Sequence, residues 1–266
     1  MIIDFHTHIF PEALAPRTIH ALATRASISA YTDGTLRGLL DSMNMAGIDK
    51  SVILPVATKP SQFKTINEFA QIINNQHNDR LISFGGIHPD SEDYEGELRK
   101  LKSMGFDGIK LHPDYQGVMI DDPRMMRIIE CADALDFIIV THAGEDIGMP
   151  EPVHCPPERA RRVIDSLHPK RFVLAHYGAW NQWDEVYDCL AGEDVYFDTG
   201  FIFDYIDTDL FMKIYEKHAK DKILFATDSP WSDASRSVAA IQNLPISDQE
   251  KEDILGNNAL KLLQWV

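Results

Sequence analysis

Eight short segments rich in β-branched and aromatic residues recur along the chain. They cover residues 2–5, 51–55, 81–85, 108–111, 137–141, 172–175, 195–197 and 223–226. Most of them are continuously apolar rather than alternating, which is typical of strands that are covered on both faces in a parallel sheet. Stretches with helical periodicity separate these segments, so the pattern predicts strands that alternate with helices.

Eight β/α units in 266 residues are typical of a (β/α)8 (TIM) barrel. An open, doubly wound α/β sheet would use the same elements. The sequence DFHTHIFP, however, stands where such a sheet would carry a glycine-rich nucleotide loop, and this favours the barrel. No Pro/Gly/Ser-rich linker, internal repeat or low-complexity run interrupts the sequence. We therefore expect one α/β domain spanning residues 1–266.

Several helix boundaries also carry sequence signals. Thr65 with Glu68, and Ser247 with Glu250, have the spacing of a capping box, so we expect helices to begin at these positions. The interval 11–50 is predicted to hold a helix that ends near Gly47 and an earlier segment that covers the barrel mouth.

Composition and charge limit the class of partner. The apolar fraction of 44% and the charged fraction of 25% are typical of a globular protein. A net charge of −16 repels phosphate backbones, so we expect a small-molecule substrate and no nucleic acid. The 3 cysteines have no paired spacing, which predicts a reducing cytoplasm and no disulfide framework. No segment approaches the roughly 18 apolar residues of a membrane helix, so no membrane association is expected.

Polar residues follow the C-terminal ends of the predicted strands, where barrels of this class carry their active sites. They are His6 and His8 on the first strand, Lys110 and His112 on the fourth, His142 on the fifth, His176 on the sixth and Asp228 on the eighth. Residues two apart on a strand project to the same side, so His6 and His8 can bind one cation together. Any one of the histidines alone could be a hydrogen-bonded core residue. The whole set predicts a site for zinc or a similar divalent metal.

Other polar and aromatic residues have two interpretations each. Lys110 is either a solvated or ion-paired lysine or a functional group, which would bridge metals after carbamylation or orient substrate as a cation. Trp231 is assigned either to an apolar cavity wall or to the core. Asp146 and His154 lie on loops near the mouth, and their roles stay open. The histidines in or beside predicted helices are expected at the surface; they are His20, His77, His168 and His218.

Six motifs occur in an order and spacing that resemble the amidohydrolase superfamily. They are DFHTH at 4–8, GIKLHP at 108–113, THAG at 141–144, LAHYG at 174–178, FATDSPW at 225–231 and GNNALKLL at 256–263. In particular, the sequence is similar to the amidohydrolase-related group that includes aminocarboxymuconate semialdehyde decarboxylase. The resemblance extends over the whole chain.

This resemblance implies a set of site residues. The implied metal ligands are His6, His8, His142 and Asp228. Asp228 and His176 are the implied catalytic residues, and His176 either joins the metal site or acts on substrate and water. Members with two metals bridge them through a carbamylated lysine at the position of Lys110. We expect one ion, preferably zinc and otherwise manganese, with Lys110, His112 and Trp231 facing the substrate.

The resemblance implies a metal-dependent hydrolase in which the metal lowers the pKa of bound water to about 7. The substrate would be a small amide, lactone or carboxylated compound. A non-oxidative decarboxylase or hydratase of the same family is the implied alternative, since it needs the same residues. A PHP-type phosphoesterase and a TatD-type nuclease share the paired histidines, but Lys110 argues against both. A non-catalytic metal-binding barrel and a homo-oligomeric assembly stay open.

Overall fold

A computed structural model, which describes residues 1–264, contains eight parallel strands that alternate with helices. The strands are β1 Ile3–Thr7, β2 Lys50–Ile53, β3 in two parts, Leu81–Ser83 and Gly85–Gly86, β4 Gly108–Leu111, β5 Ile138–Thr141, β6 Phe172–Leu174, β7 Tyr196–Asp198 and β8 Ile223–Leu224. Neighbours in the sequence pair in parallel from β1 to β8. The predicted (β/α)8 fold is therefore confirmed, with Phe84 interrupting the third strand.

Backbone hydrogen bonds join the first strand to the last. The Phe5 N–H donates to the Phe225 carbonyl at 2.9 Å, and the Asp228 N–H donates to the His6 carbonyl at 2.8 Å. Thr7 and Ser229 form a further parallel bridge. Because these bonds satisfy the outer edges of β1 and β8, the sheet closes on itself as a barrel.

Twelve α-helices accompany the strands within residues 1–264. They are α1 Ala15–Ala26, α2 Leu36–Ala46, α3 Phe63–His77, α4 Tyr94–Ser103, α5 Pro113–Gln116, α6 Pro123–Ala134, α7 Pro157–Leu167, α8 Trp183–Cys189, α9 Thr208–Lys217, α10 Ala234–Gln242, α11 Asp248–Glu252 and α12 Asn258–Leu262. A π-helical turn, Asp253–Asn257, connects α11 to α12. None of the helices in this part of the chain has the length and apolar character that crossing a membrane requires.

The predicted helix boundaries are confirmed at two positions and wrong at a third. Gly47 follows α2 with a left-handed φ of 70°, as a C-terminal glycine should. Ser247 and Glu250 form the predicted capping box at the start of α11. Thr65, in contrast, lies inside α3, because that helix begins at Phe63 and continues directly from a 3-10 turn.

Both sides of the barrel strands are buried in apolar surroundings. Ile138 and Val140 of β5 pack inside the barrel, whereas Ile139 packs in the layer between strands and helices. Leu262 of α12 belongs to the interior cluster together with Ile3, at the N-terminal end of the barrel. This two-sided burial is the physical reason for the continuous apolar runs in the sequence.

His218, expected at the surface, is a core residue. Its ring stacks on Phe197 with 4.1 Å between centroids, and its Nε2 donates to the Val195 carbonyl at 3.0 Å. Burial lowers the pKa of His218 to about 4, so the ring is neutral at pH 7. The surface prediction was wrong because the end of α9 packs against β7, a contact that helical periodicity does not reveal.

Candidate metal and substrate site

The C-terminal ends of the strands surround a cavity of about 410 Å³. Every site residue predicted from the sequence lines it: His6, His8, Lys110, His112, His142, His176, Asp228 and Trp231. The polar members form the floor of the cavity. Its volume is within the range of small-molecule sites.

His6 and His8 direct two lone pairs at each other. The Nδ1 of His6 donates to Asp198 at 2.9 Å, and the Nδ1 of His8 donates to the Leu54 carbonyl at 2.8 Å. With a proton on Nδ1, each neutral ring has its lone pair on Nε2. The two Nε2 atoms are only 3.1 Å apart. Facing lone pairs at this distance repel each other unless a cation is shared, so this pair fits a divalent metal.

Asp228 adds a carboxylate to this pair. Its Oδ1 lies 3.1 Å from the Nε2 of His8 and 3.4 Å from the Nε2 of His6. Burial raises the pKa of Asp228, but the neighbouring His6 and His8 outweigh burial and bring it below its usual value. Asp228 is therefore ionised at neutral pH. A left-handed φ of 57° places it at the strand end, a strained conformation that is common in functional sites.

His142 and His176 form a second pair of imidazoles. The Nδ1 of His142 lies 2.9 Å from the Nε2 of His176, and the Nδ1 of His176 donates to the Gly200 carbonyl at 2.8 Å. The rings of His6 and His176 are 5.3 Å apart, which places the two pairs side by side. Burial lowers the pKa of His6 to about 4 and that of His142 well below 6.5, so both rings are neutral potential ligands.

Lys110 lies inside this cluster and not at the cavity rim. Its side chain is only 1% exposed, and its Nζ lies 3.1 Å from the Nε2 of His6. Burial lowers the pKa of Lys110 to about 8, against the opposing effect of Asp198 and Asp228. The amine is thus far closer to neutrality than a surface lysine, as carbamylation requires. It can reach only the part of a substrate that lies at the cavity floor.

The upper cavity is largely apolar. Its walls are formed by Ile9, Phe10, Leu22, Ile28, Leu54, Val56, Tyr115, Ile147, Met149, Trp180, Phe201 and Trp231. Thr18, Leu22 and Arg25 show that α1 contributes to the lining, which confirms that the segment before α2 covers the mouth. No carboxylate within residues 1–264 lies within 4.0 Å of the Arg25 guanidinium, which contacts the Met149 sulfur at 3.6 Å.

A model of the family described as Amidohydrolase matches residues 3–265. The chain belongs to the amidohydrolase family. The comparison with curated proteins gave no match for this amidohydrolase.

Solved structures similar to this amidohydrolase cover nearly its whole length. An uncharacterised TIM-barrel protein from Bordetella bronchiseptica has 17% identity and a TM-score of 0.82, with 99% of this chain and 98% of that one covered. A dihydroxybenzoic acid decarboxylase from Polaromonas sp. JS666, with bound manganese and 2-nitroresorcinol, has 16% identity, coverages of 99% and 96% and a TM-score of 0.71. A probable 2-pyrone-4,6-dicarboxylic acid hydrolase from Acinetobacter baumannii has 16% identity, 99% coverage of both chains and a TM-score of 0.67.

Other similar structures are also named as decarboxylases. At these identities the likeness shows the fold alone.

Asp198, the last residue of β7, belongs to the site although it is not among the residues predicted from the sequence. Its Oδ2 accepts the His6 hydrogen bond, and its Oδ1 accepts the backbone N–H groups of His176 and Gly200 at 3.0 and 2.9 Å. Burial opposes ionisation, but His6 holds the pKa of Asp198 far below its usual value. The signal was present in the sequence VYFDTG, where this aspartate ends the seventh apolar run just as the predicted residues end theirs.

His112 belongs to a second group beside the first. Its ring stacks between Tyr115 and His142, at centroid distances of 4.0 and 4.3 Å. Its Nε2 lies 3.4 Å from the Oδ2 of Asp146, whose pKa is raised by burial. His112, His142 and Asp146 are close enough to share an ion, although a weak bond from the Tyr115 N–H to the Nδ1 of His112 favours a proton on Nε2. This group of the amidohydrolase therefore suits hydrogen bonding to substrate better than metal binding.

Proposed function

We propose that this amidohydrolase is a metal-dependent, non-oxidative decarboxylase of a small hydroxylated aromatic acid. The observation that carries the proposal is the combination of aromatic walls with an ionised, histidine-rich floor in one cavity. Apolar walls disfavour a carboxylate and tolerate neutral CO2, so a substrate held between them loses part of the solvation that stabilises its carboxylate. Several of the similar structures are named as decarboxylases, and these names support decarboxylation over the hydrolysis expected from the sequence.

One divalent metal is proposed at His6, His8, His142 and Asp228, with zinc or manganese as the ion. The facing lone pairs and the ionised carboxylate support this assignment. When bound, the metal supplies positive charge that binds the acidic oxygens of the substrate and stabilises the negative charge developing on them. Manganese is the ion in the Polaromonas decarboxylase.

The cavity walls would orient the substrate. Phe10, Trp180 and Trp231 offer flat apolar surfaces to an aromatic ring. Arg25 offers a guanidinium at the mouth that is free of carboxylate partners within the described residues, so it would bind a second acidic group of the substrate. Lys110 would contact the acidic oxygens at the floor.

Asp228 is the proposed proton carrier. Because it is ionised, it can accept the proton of the substrate's acidic hydroxyl. The bond between the ring carbon and the carboxylate then breaks, CO2 leaves, and the electron pair stays on the ring carbon. Asp228 returns its proton to that carbon. The product oxygen takes a proton from solvent on release, so one proton is consumed and one CO2 is formed.

Hydrolysis of a lactone is the second candidate. The same ionised Asp228 can accept a proton from water instead of from a hydroxyl. The similar Acinetobacter structure, named as a probable pyrone dicarboxylic acid hydrolase, supports this alternative. Both reactions use one set of residues, so an isotope experiment must separate them.

The test is turnover of a panel of hydroxybenzoates, carboxylated hydroxybenzoates and lactones by zinc-loaded and manganese-loaded protein, in D2O and in H2(18)O. Decarboxylation places one deuterium on the ring carbon that lost CO2 and adds no 18O. Hydrolysis adds one 18O to the product and releases no CO2. The Asp228→Asn variant should lose turnover by at least about 100-fold.

Asp41→Asn is the matched control, since this exposed aspartate of α2 bonds only Arg37 within the part of the chain that the structure describes. It should retain full activity. Incorporation of 18O without CO2 release would replace the decarboxylase by the hydrolase. Metal binding without turnover of any panel member would instead support a non-catalytic barrel.

A further inference from the structure

A buried aspartate outside the predicted site contacts two histidines. Asp114 lies on α5, and its side chain is 2% exposed. Its Oδ1 accepts hydrogen bonds from the backbone N–H of His154 at 3.2 Å and from the Nδ1 of His154 at 2.9 Å. Its Oδ2 lies 3.8 Å from the Nε2 of His142. Within residues 1–264, neither this oxygen nor this nitrogen has a hydrogen-bond partner.

Contacts of its first and last residues fix the position of α5. Pro113 begins the helix directly after β4, and Gln116 fixes the helix to the neighbouring β-to-α connections. The side-chain amide of Gln116 donates to the carbonyls of Ala57 and Ile87 at 3.0 and 2.8 Å. Asp114 is therefore held beside His142 by the backbone, before any ligand is bound.

The two tautomers of His142 differ in whether the Oδ2 of Asp114 and the Nε2 of His142 can form a hydrogen bond. A proton on Nδ1 would be donated to the Nε2 of His176 at 2.9 Å. It would leave the Nε2 lone pair facing the Asp114 carboxylate, two buried acceptors without a donor. A proton on Nε2 lets the two atoms satisfy each other after a small approach. It also leaves a lone pair on Nδ1, which then faces the Nε2 lone pair of His176 across 2.9 Å. This repeats the arrangement of His6 and His8.

We propose that Asp114 is a positioning residue that holds the proton of His142 on Nε2 and so makes Nδ1 available as a metal ligand. His154 holds the carboxylate in this orientation through its two hydrogen bonds to the Oδ1 of Asp114. The inference rests on the proposed function only in treating His142 as a metal ligand. Carboxylates that orient ligating imidazoles in this way are common in metalloproteins, and their loss weakens metal binding by about 10- to 100-fold.

Asp114→Asn gives a sharp test because the geometry dictates the orientation of the new amide. Two N–H donors of His154 face the Oδ1 position, so the amide oxygen should take that place. The NH2 group then faces the Nε2 of His142 and donates to it. The variant therefore forces the proton of His142 onto Nδ1, where it blocks the proposed ligand atom, without changing side-chain size.

The first readout is zinc and manganese affinity, measured by calorimetry on protein stripped with a chelator. Asp114→Asn should bind about 10- to 100-fold more weakly than the parent. His154→Ala, which keeps the backbone donor, should show a smaller loss. Asp121→Asn is the matched control, because the side-chain partners of this aspartate within residues 1–264 are Arg159 and Arg162, far from the metal ligands in sequence, and its affinity should equal that of the parent.

The second readout is the tautomer itself, from long-range proton–nitrogen NMR of (15)N-histidine protein loaded with zinc. The His142 resonances are those lost in His142→Gln, and in the parent they should show the proton on Nε2. A proton on Nδ1 in the parent overturns the inference whether or not any variant folds. Equal affinities of Asp114→Asn and Asp121→Asn also overturn it, while the metal-dependent function stands. A parent that binds no divalent metal overturns both.

Discussion

Replacing Lys110 by methionine should stabilise the metal-free protein at neutral pH. Burial lowers the pKa of Lys110 from 10.5 to about 8. At about 1.36 kcal/mol per pKa unit, keeping the ammonium charged at pH 7 costs the folded state about 3 kcal/mol. The variant also loses the 3.1 Å hydrogen bond to His6, which offsets about 1 kcal/mol of this gain in stability. Methionine is similar in size, so we expect a net gain of about 2 kcal/mol in the free energy of unfolding.

The gain should depend on pH in a defined direction. The folded-state pKa of Lys110, about 8, lies below the unfolded value of 10.5. Between these values the unfolded chain binds more protons, so the stability of the parent rises with pH across this window. The advantage of Lys110→Met is therefore complete below pH 8 and disappears as the pH approaches 10.5.

Urea unfolding in the presence of a chelator, at pH 7 and at a pH near 10, measures both effects. Turnover by the metal-loaded variant should fall at the same time, because the ammonium no longer contacts the cavity floor. The reasoning would be refuted by a variant that is less stable than the parent at pH 7. It would also be refuted by a difference in the free energy of unfolding that is the same at both pH values, because burial would then not control the pKa of Lys110. A surface lysine variant, Lys64→Met on α3, is the control and should change stability little at either pH.

Three further predictions concern the metal and the substrate. Elemental analysis should find about one equivalent of metal in the parent and none in the His6→Ala/His8→Ala double variant; two equivalents would indicate bridging through a carbamylated lysine. Arg25→Gln should raise KM about 10-fold, with little change in kcat, for substrates with a second acidic group, and equal effects on substrates without one would refute this role. Gly200→Ala should weaken metal binding in a titration, because its Cβ would lie 3.1 Å from Asp198 and 3.3 Å from His6. An unchanged metal affinity would refute this, since it would mean that both side chains can move aside at no cost to the site.

The sequence was sufficient for the fold and for most of the cavity floor. Continuous apolar runs predict strands because burial on both barrel faces imposes that composition locally. The polar residues at the strand ends were identified by the same rule. Asp198 ends its apolar run as His6 and His142 end theirs, so the sequence carries the same signal at this position although Asp198 was not predicted. The burial of His218, in contrast, has no signal in the sequence, since no residue near it along the chain indicates that α9 packs its ring onto Phe197.

Only the tertiary structure decided how each imidazole is oriented. The partner of His6, Asp198, is 192 positions away in the sequence, and the bond between Asp114 and His154 spans 40 positions. Which ring nitrogen carries a proton depends on such distant oxygens. The aromatic walls and the position of Arg25 depend in the same way on where the connections cross the barrel mouth. Local periodicity determines which residues are buried, whereas hydrogen-bond direction and cavity shape are set by chain segments that meet only after folding.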